Sequence, residues 1–411
     1  MPAKQAVTRT EVADLFRRII RLSDDTIGQN RLVYTPNWVA AQQALIKFAV
    51  DQKLTVSVDD YGTVYVDLPG QTTASPAIAT GSHMDTVVHG GKYDGLYGVL
   101  GGLSALLQLR DKYGQPRQTL RVISFSEEEG SRFPVTFSGS KHYAGIIDVT
   151  GITDNAGISI DSARATAVSQ LQREPGVSRS LPDLPQSFTE LHIEQGPRLS
   201  NQGKTIGLVK AIVGQRRFSV TIIGAANHAG TTPMNVRKDA LQTAVQLISR
   251  LNQLATAPDP LLTFTVGHLE VSPNTSNVIP GQVIFSVDCR HAEDRILDTF
   301  EIQLRNAVNQ ATAPGITTAI SRWVSDKPVP LAAPLLAANR VLATRLGYDP
   351  VVMVSGAGHD SEIMSRVTPT TMIFVPSVAG ISHAPKELTA PADLTAGIAL
   401  LTASLHQQAY S

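Results

Sequence analysis

One group of residues able to bind a metal follows a short apolar segment early in the chain. His83 and Asp85 come directly after the apolar run at 77–80, and Asp94 lies further on in a loop rich in glycine. A metal-bound imidazole needs its second nitrogen held by an acceptor, and Asp85 is placed to provide one. A lone buried histidine is more often a satisfied core residue, by roughly four to one on general burial habits. Its position at the end of a predicted strand favours a functional role here.

Three adjacent carboxylates form a second group. Glu127, Glu128 and Glu129 directly follow the apolar run at 120–125. Such a triplet is most often the solvated start of a helix, where the helix dipole favours acidic residues. At the end of a buried strand, however, adjacent carboxylates point in different directions, so one can bind a metal while its neighbour faces a water molecule. The triplet therefore indicates metal-assisted hydrolysis.

Two further histidines extend the pattern. His192 lies on a predicted short strand within 191–196, and His383 lies in a loop after the predicted strand that ends at Val375. All four groups thus follow separate strands of one predicted sheet, and residues at the carboxyl ends of such strands converge on one edge. That convergence is what a two-metal hydrolase site requires. Since Cys289 is the only cysteine, any metal must be held by His, Asp or Glu.

The elements that must position these residues indicate an α/β protein with an insertion. The apolar runs flank a glycine-punctuated helix at 97–110, an alternation typical of a mostly parallel sheet covered by helices. After Lys210 the predicted order becomes strand, helix, strand, strand, helix, strand, which is the ferredoxin-like plan. We predict a catalytic domain of residues 1–210 and 325–411 and an inserted lid and dimerisation domain of residues 211–324. The segment 161–188 is predicted to be an irregular connection.

Composition and charge exclude several classes of protein. A chain of 411 residues exceeds the usual size of one hydrophobic core, so two domains are expected. Its 35 basic and 35 acidic residues balance, which argues against a nucleic-acid or anionic-membrane partner and favours a small-molecule ligand. We find neither an apolar leader nor a run of about eighteen apolar residues. With the single cysteine, this predicts a cytoplasmic protein without a membrane partner.

Eight motifs together resemble the amidase, hydantoinase and carbamoylase branch of the dinuclear M20 metallopeptidase family. They are the runs GSHMD (81–85), GGKYDG (90–95), EEEGSRFP (127–134), ELHIEQG (190–196), AIVGQRR (211–217), NHAGTTP (227–233), SGAGHD (355–360) and SHAP (382–385). The motifs span nearly the whole chain and follow the order of that family. The resemblance implies a metallopeptidase-like catalytic domain that carries the inserted domain.

The resemblance also implies two divalent metal ions per chain, either zinc or manganese. His83, Asp94 and His192 would hold one ion, and Asp94 would bridge to a second ion held by Glu129 and His383. The sequence does not choose between the metals, because His, Asp and Glu ligands suit several of them.

A base and a substrate site are implied in the same way. Glu128 would be the general base, whereas Glu127 has no assigned role. Four polar residues would contact the carboxylate and ureido groups of the substrate: Gln195, Arg216, Asn277 and Arg290. Gly358 and His359 match a loop near the site in the family. His228 would reach the active site of the other subunit of a homodimer formed through the inserted domain.

The expected reaction is hydrolysis of a ureido C–N bond, with allantoate converted to ureidoglycine, ammonia and carbon dioxide. N-carbamoyl-L-amino acids, ureidoglycolate and β-ureidopropionate are alternative substrates, and a dipeptidase is more remote because peptidase relatives lack the runs at 127–134 and 211–217. The glycines from Gly95 to Gly102 suggest a dinucleotide-dependent oxidoreductase, but their spacing departs from the G-x-G-x-x-G fingerprint. A metal-free binding protein is disfavoured because all five ligand positions and the base are present.

Overall fold

The computed structural model of the chain describes residues 9–23, 27–72, 75–146, 149–256 and 259–411. They divide into two compact units: Met1–Lys210 with Pro330–Ser411 form unit 1, and Ala211–Val329 form unit 2. Unit 2 is therefore an insertion in the sequence of unit 1. Among the described residues, no helix combines the length and apolar character needed to cross a membrane.

Unit 1 is built on one large sheet with helices. Its strands are β1 (Thr55–Val58), β2 (Val64–Leu68), β3 (Ile78–His83), β4 (Leu120–Phe125), β5 (Val177–Arg179), β6 (Ser187–Ile193), β7 (Gly207–Ile212), β15 (Val329–Pro330), β16 (Val351–Ser355) and β17 (Thr370–Val375). Its helices are α1 (Thr10–Arg21), α2 (Pro36–Asp51), α3 (Leu96–Tyr113), α4 (Ser138–Tyr143), α5 (Ile160–Leu171), α6 (Arg198–Gln202), α9 (Ala333–Arg345), α10 (Asp360–Met364) and α11 (Pro391–Ala409). Strands β7 and β15 each cross the boundary between the units by a residue or two.

The strand order of this sheet is β15-β7-β17-β6-β3-β4-β2-β1-β5, with β16 paired to β7. The four central strands β17, β6, β3 and β4 run parallel to one another. Both faces are buried, since neighbouring residues such as Val122 and Ile123 of β4 belong to different apolar clusters. The predicted mixed α/β fold with a mostly parallel central sheet is confirmed.

Glycines in α3 allow that helix to lie very close to the central strands. A Cβ added at Gly98 would fall 2.3 Å from the main-chain oxygen of Leu191 in β6 and 2.7 Å from Cβ of Ser82 in β3. Only a residue without a side chain tolerates such an approach. Gly98, one of the glycines between Gly95 and Gly102, thus has a packing role at this contact between α3 and the sheet.

The prediction of an irregular connection at 161–188 was wrong. This segment contains almost all of α5 and the whole of β5, and β6 begins within it. Ser159 caps α5 by accepting the N–H of Ser162, and the helix buries Ile160, Ala163 and Leu171. Two of the five buried residues of α5 are alanines, so the apolar periodicity of the helix was weak in the sequence.

Unit 2 contains its own sheet and two long helices. Its elements are β8 (Gly214–Ile223), β9 (Asn227–His228), α7 (Ala240–Thr256), β10 (Thr263–Thr265), β11 (Leu269–Ser272), β12 (Val278–Ile279), β13 (Gln282–His291), α8 (Asp294–Gln310) and β14 (Thr317–Asp326). The main sheet has the order β10-β13-β8-β14, with β11 also paired to β13. The first of the two adjacent strands predicted between the helices of this insertion is thus divided into β10 and β11. One apolar core joins the sheet to both helices, with Phe218 of β8 packed among residues such as Leu251 and Leu304.

Candidate metal centre

The ends of the parallel strands bring the predicted metal ligands together. His83 is the last residue of β3, and His192 is the last but one of β6. The carboxylate triplet begins just after β4, which lies beside β3. Because these strands run parallel, their carboxyl ends meet at one edge of the sheet.

Two histidines and one carboxylate form the first ligand set. Nε2 of His192 lies 3.1 Å from Oδ1 of Asp94, and Nε2 of His83 lies 3.7 Å from the same oxygen. All three side chains are buried. Their ligand atoms lie within 4.8 Å of one another, which is a spacing that can hold a metal ion.

Main-chain oxygens fix the tautomers of both histidines. Nδ1 of His83 lies 3.0 Å from the carbonyl oxygen of Asp85, and Nδ1 of His192 lies 2.9 Å from that of Ile193. A carbonyl oxygen only accepts hydrogen bonds, so Nδ1 carries the proton in each ring and the lone pair is on Nε2. Nε2 of each ring faces Asp94, and in His192 this nitrogen also accepts the N–H of Gly95 at 3.1 Å.

Asp85 supports the site in a way the sequence did not indicate. Its carbonyl group receives the His83 hydrogen bond, whereas its carboxylate Oδ1 is 3.7 Å from Nδ1 of that ring. The other carboxylate oxygen, Oδ2, accepts the N–H groups of Glu128 and Glu129 at 3.0 and 3.1 Å. Asp85 therefore connects the end of β3 to the carboxylate triplet that follows β4.

The second ligand set shares Asp94 with the first. Nε2 of His383 lies 3.1 Å from Oδ2 of Asp94 and 3.3 Å from Oε2 of Glu129. These three residues also have ligand atoms within 4.8 Å of one another. The two oxygens of Asp94 thus face different sets, which is the arrangement expected of a bridging carboxylate.

Glu128 lies beside the first set. Its Oε2 is 3.7 Å from Nε2 of His83, and its side chain is buried. Burial, together with the negative charge of Glu129, raises the pKa of Glu128 well above its usual range. A carboxylate so placed can exchange a proton with a group held between the two sets.

The donor atoms fit divalent cations. His and carboxylate groups are the ligand types of zinc and manganese sites. Buried carboxylate oxygens of Asp85, Glu127 and Glu129 have no hydrogen-bond partner, and such unpaired negative groups are costly unless a cation offsets them. The residues therefore fit a metal centre.

A further group, formed by Glu190, His192 and His359, does not add an independent metal position. Although its ligand atoms lie within 4.8 Å, His192 already uses its Nδ1 proton on Ile193 and directs Nε2 at Asp94. Both oxygens of Glu190 accept hydrogen bonds, one from Ser82 Oγ and the other from the N–H and Oγ of Ser361. Glu190 thus links β6 to β3 and α10 behind the ligands.

Two other predicted residues of unit 1 lie near these ligands. Nε2 of Gln195 donates to Oδ2 of Asp94 at 2.9 Å, so this side chain contacts the shared carboxylate. Gly358 is an exposed loop residue, and its neighbour His359 is buried with its ring edge-on to that of His192 at 4.6 Å. Nε2 of His359 also lies 2.9 Å from Oγ of Ser355.

His228 and Asn277 are neighbours within unit 2. Their segments pair as β9 and β12, and the N–H of Ala229 donates to the carbonyl oxygen of Asn277. Nδ1 of the exposed His228 accepts the N–H of Gly230 at 3.0 Å. Since Nδ1 is an acceptor, Nε2 of His228 carries the proton and can donate a hydrogen bond.

The two predicted substrate arginines lie on opposite faces of the unit 2 sheet. Arg216 faces α8, where it pairs with Asp294 and lies 3.2 Å from Asp298, and it is buried. Arg290 is half-buried on the other face and pairs with Asp288. Each arginine would have to leave an acidic partner to reach a substrate, and Arg216 is the more deeply buried of the two.

Sequence reasoning missed Glu387, which is buried and accepts the N–H of Asp94 at 3.2 Å. Its only signal in the sequence was its place in the loop that carries His383.

Comparisons with known proteins identify the family of this chain. The chain belongs to the family described as peptidase family M20/M25/M40, which it matches over residues 79–407. It is 41% identical over 389 residues to an allantoate amidohydrolase of Bacillus subtilis, covering 93% of each chain. It is 36% identical over 390 residues to an N-carbamoyl-L-amino-acid amidohydrolase of Paenarthrobacter aurescens, again covering 93% of each. A solved amidase of the hydantoinase/carbamoylase family from Burkholderia multivorans superposes with a TM-score of 0.91 at 34% identity, covering 99% of this chain and 100% of that one.

Proposed function

We propose that this chain is a dinuclear metal-dependent amidohydrolase that cleaves a ureido C–N bond, with allantoate as its preferred substrate. The observation that carries the proposal is the Asp94 carboxylate, whose two oxygens face two separate ligand sets. Similarity to enzymes named for allantoate and for N-carbamoyl-L-amino acids supports the class of reaction. Zinc and manganese both accept these ligands.

Two divalent ions, when bound, polarise the ureido carbonyl and lower the pKa of the attacking water. Glu128 takes a proton from that water as its oxygen bonds to the carbonyl carbon. The same carboxyl group then delivers the proton to the leaving nitrogen as the C–N bond breaks. This first cleavage releases one nitrogen as an amine and leaves the carbonyl carbon as a carbamate on the other nitrogen. The carbamate then loses carbon dioxide as its second C–N bond breaks and its nitrogen takes up a proton. One water and one ureido group of allantoate thus give ureidoglycine, ammonia and carbon dioxide.

The preference for allantoate depends on polar contacts. Arg290 offers a planar guanidinium group for the substrate carboxylate, and Asn277 offers an amide for the second ureido group. Gln195 and Gly358 complete the proposed contacts from unit 1. An N-carbamoyl-L-amino acid is the second candidate, because it has the same carboxylate and one of the relatives is named for it.

Rates on matched substrates test the choice. Enzyme reconstituted with Mn²⁺ or Zn²⁺ should show a higher kcat/KM for allantoate than for N-carbamoyl-L-amino acids or ureidoglycolate. The ratio can approach roughly 10⁴ when an analogue leaves polar groups of a site unpaired. A clear preference for a carbamoyl amino acid with an apolar side chain would instead identify N-carbamoyl-L-amino acids as the substrates.

Unit 2 is proposed to be a ferredoxin-like lid and dimerisation domain, with unit 1 as the catalytic domain. Support comes from the element order of unit 2 and from its strand order, in which β14 is a terminal strand. In a homodimer, pairing of the β14 edges of two subunits about a two-fold axis would cover both edges at once. His228 would then donate its Nε2 hydrogen to the substrate carbonyl in the partner's site.

Mixing two inactive variants tests this arrangement. Glu128→Gln and His228→Ala subunits, exchanged after partial denaturation, should form mixed dimers in which one site has both functional residues. Recovery of activity is expected in the mixture and in neither variant alone. Persistent inactivity in demonstrably mixed dimers would exclude a role for His228 across the interface.

A further inference from the structure

Glu387 joins the two loops that carry Asp94 and His383. Its carboxyl group is buried, with the residue 3% exposed. Oε1 accepts the N–H groups of Tyr93 and Asp94 at 2.8 and 3.2 Å, and Oε2 accepts the hydroxyl hydrogen of Ser382 at 2.7 Å. The Glu387 carboxylate therefore holds the backbone N–H of Asp94 and the side chain of Ser382, which directly precedes His383.

The loop that contains Asp94 fits closely around this carboxylate. A Cβ added at Gly91 would fall 2.0 Å from Cδ of Glu387 and within 2.2 Å of both its oxygens. Oγ of Ser382 also lies 3.2 Å from Oδ2 of Asp94, so this hydroxyl is placed between the two carboxylates. The contact is thus specific in both its donors and its shape.

Glu387 supports the ligands without belonging to either ligand set. Among the described residues, Glu387 belongs to none of the groups whose ligand atoms are close enough to share a metal ion. It contacts neither histidine of the first set in the hydrogen bonds described, and those rings are held by the carbonyl groups of Asp85 and Ile193. Loss of Glu387 should therefore affect the two metal positions unequally.

We propose that Glu387 is a positioning residue that holds Asp94 and His383 at the separation needed for the second metal ion. This inference rests on the proposed dinuclear function. Residues that orient metal ligands typically change metal affinity by roughly 10- to 100-fold when they are removed. Glu387→Ala should weaken the second Mn²⁺ by about that factor and the first by much less.

Asp59 provides a matched control. It is also a buried carboxylate that accepts two backbone N–H groups, from Tyr61 and Thr63, and one hydroxyl, from Tyr65. Its donors lie on the β1–β2 hairpin, which carries none of the proposed ligands. Asp59→Ala should therefore lower thermal stability and leave both Mn²⁺ affinities within about threefold of the parent protein.

The experiment is a calorimetric titration of metal-free full-length protein with Mn²⁺, with thermal melting measured in parallel. In Glu387→Ala, one of the two binding events should weaken by the larger factor while the other stays close to that of the parent protein. Glu387→Gln should show a smaller loss, because its amide oxygen still accepts the two N–H groups while the negative charge is gone. Wild-type affinities at both positions in Glu387→Ala, with lowered stability alone, would overturn the proposal.

Hydrogen exchange of the metal-free protein gives a readout that does not depend on bound metal. The amides of Tyr93 and Asp94 should exchange faster in Glu387→Gln than in the parent, and should not change in Asp59→Asn. If Glu387→Ala does not fold, the test uses Glu387→Gln and Ser382→Ala instead. Unchanged Mn²⁺ affinities and unchanged amide exchange rates in both variants would refute the positioning role of Glu387. Parent protein that binds fewer than two Mn²⁺ ions would contradict the dinuclear function, while the exchange rates would still decide whether Glu387 holds the loop.

Discussion

At the scale of single residues, the metal centre is organised before any metal binds. The Nδ1 hydrogens of His83 and His192 are committed to main-chain carbonyl groups. Their Nε2 lone pairs then face Asp94 without rotation of either ring. Because the ligands need little rearrangement, the free energy of metal binding is not reduced by ordering these side chains.

Replacement of Glu128 by Gln should separate catalysis from metal binding. The change preserves shape and removes the group that exchanges protons, so kcat should fall by roughly a hundredfold or more. Metal content and melting temperature should remain close to those of the parent. The checks are steady-state kinetics with elemental analysis of the same preparations, and a near-normal kcat would assign the proton transfer to another residue.

The sequence identified residues that sit at strand ends within recognisable motifs, and it missed those that act from a distance. His83 and His192 follow apolar strands, so their convergence could be predicted from topology. Glu387 acts on Tyr93 and Asp94, whose loop lies hundreds of residues earlier, and no local pattern marks that contact. The side-chain direction of Arg216 likewise depends on Asp294, the first residue of α8, which lies 78 residues later in the chain.

At the scale of elements, the approach of α3 to the sheet is decided by side-chain size. A Cβ added at Gly98 would fall 2.3 Å from the main-chain oxygen of Leu191. A Cβ added at Gly101 would instead fall 2.8 Å from Cδ2, at the end of the Leu191 side chain. A side-chain end can move aside, but a strand oxygen in a buried sheet cannot without shifting the strand. The two glycines should therefore respond differently to the same substitution.

Gly98→Ala should destabilise the protein by about 2 kcal/mol, because overpacking outweighs the gain in helix propensity of about 1 kcal/mol. Gly101→Ala, which gains the same propensity in the same helix, should be close to neutral. Urea unfolding followed by circular dichroism measures both. Equal stability of the two variants would show that α3 can move away from β6 at little cost.

The existence of the main elements was easier to predict than their boundaries. Strands such as β4 are mostly apolar and buried along their whole length, so they could be identified directly, which defined the mostly parallel sheet. Helix α5 was missed because two of its five buried residues are alanines, which made its apolar periodicity weak. The division of one predicted strand into β10 and β11 depends on pairing with β13, which a single segment does not encode.

At the scale of the whole molecule, each unit has its own apolar core. The single cysteine, Cys289, lies in the core of unit 2 and is fully buried. Burial, with the negative charge of Asp288, raises the pKa of this thiol to about 12. The chain therefore contains one natural reporter for the opening of unit 2.

Cys289 should react very slowly with a thiol reagent in the native protein and stoichiometrically in urea. In the unfolded chain the thiol pKa returns to about 8.5, so the reactive thiolate becomes abundant near pH 8. As pH rises from there toward 12, the folded protein retains the proton that the unfolded chain releases, and unit 2 loses stability. Absorbance of the released reagent measures the reaction, with Cys289→Ser as the blank. Fast modification of native protein would show that unit 2 opens readily.

The position of β17 imposes an order on biosynthesis. Every strand of unit 2 precedes β17 in the chain, yet β17 lies between β6 and β7 in the sheet of unit 1. On the ribosome, unit 2 can finish folding while the sheet of unit 1 still lacks a central strand. His383 follows β17 in the chain, so a growing chain cannot offer the complete second ligand set until β17 has been synthesised. Filling of the proposed second metal position would therefore follow the synthesis of both unit 2 and β17.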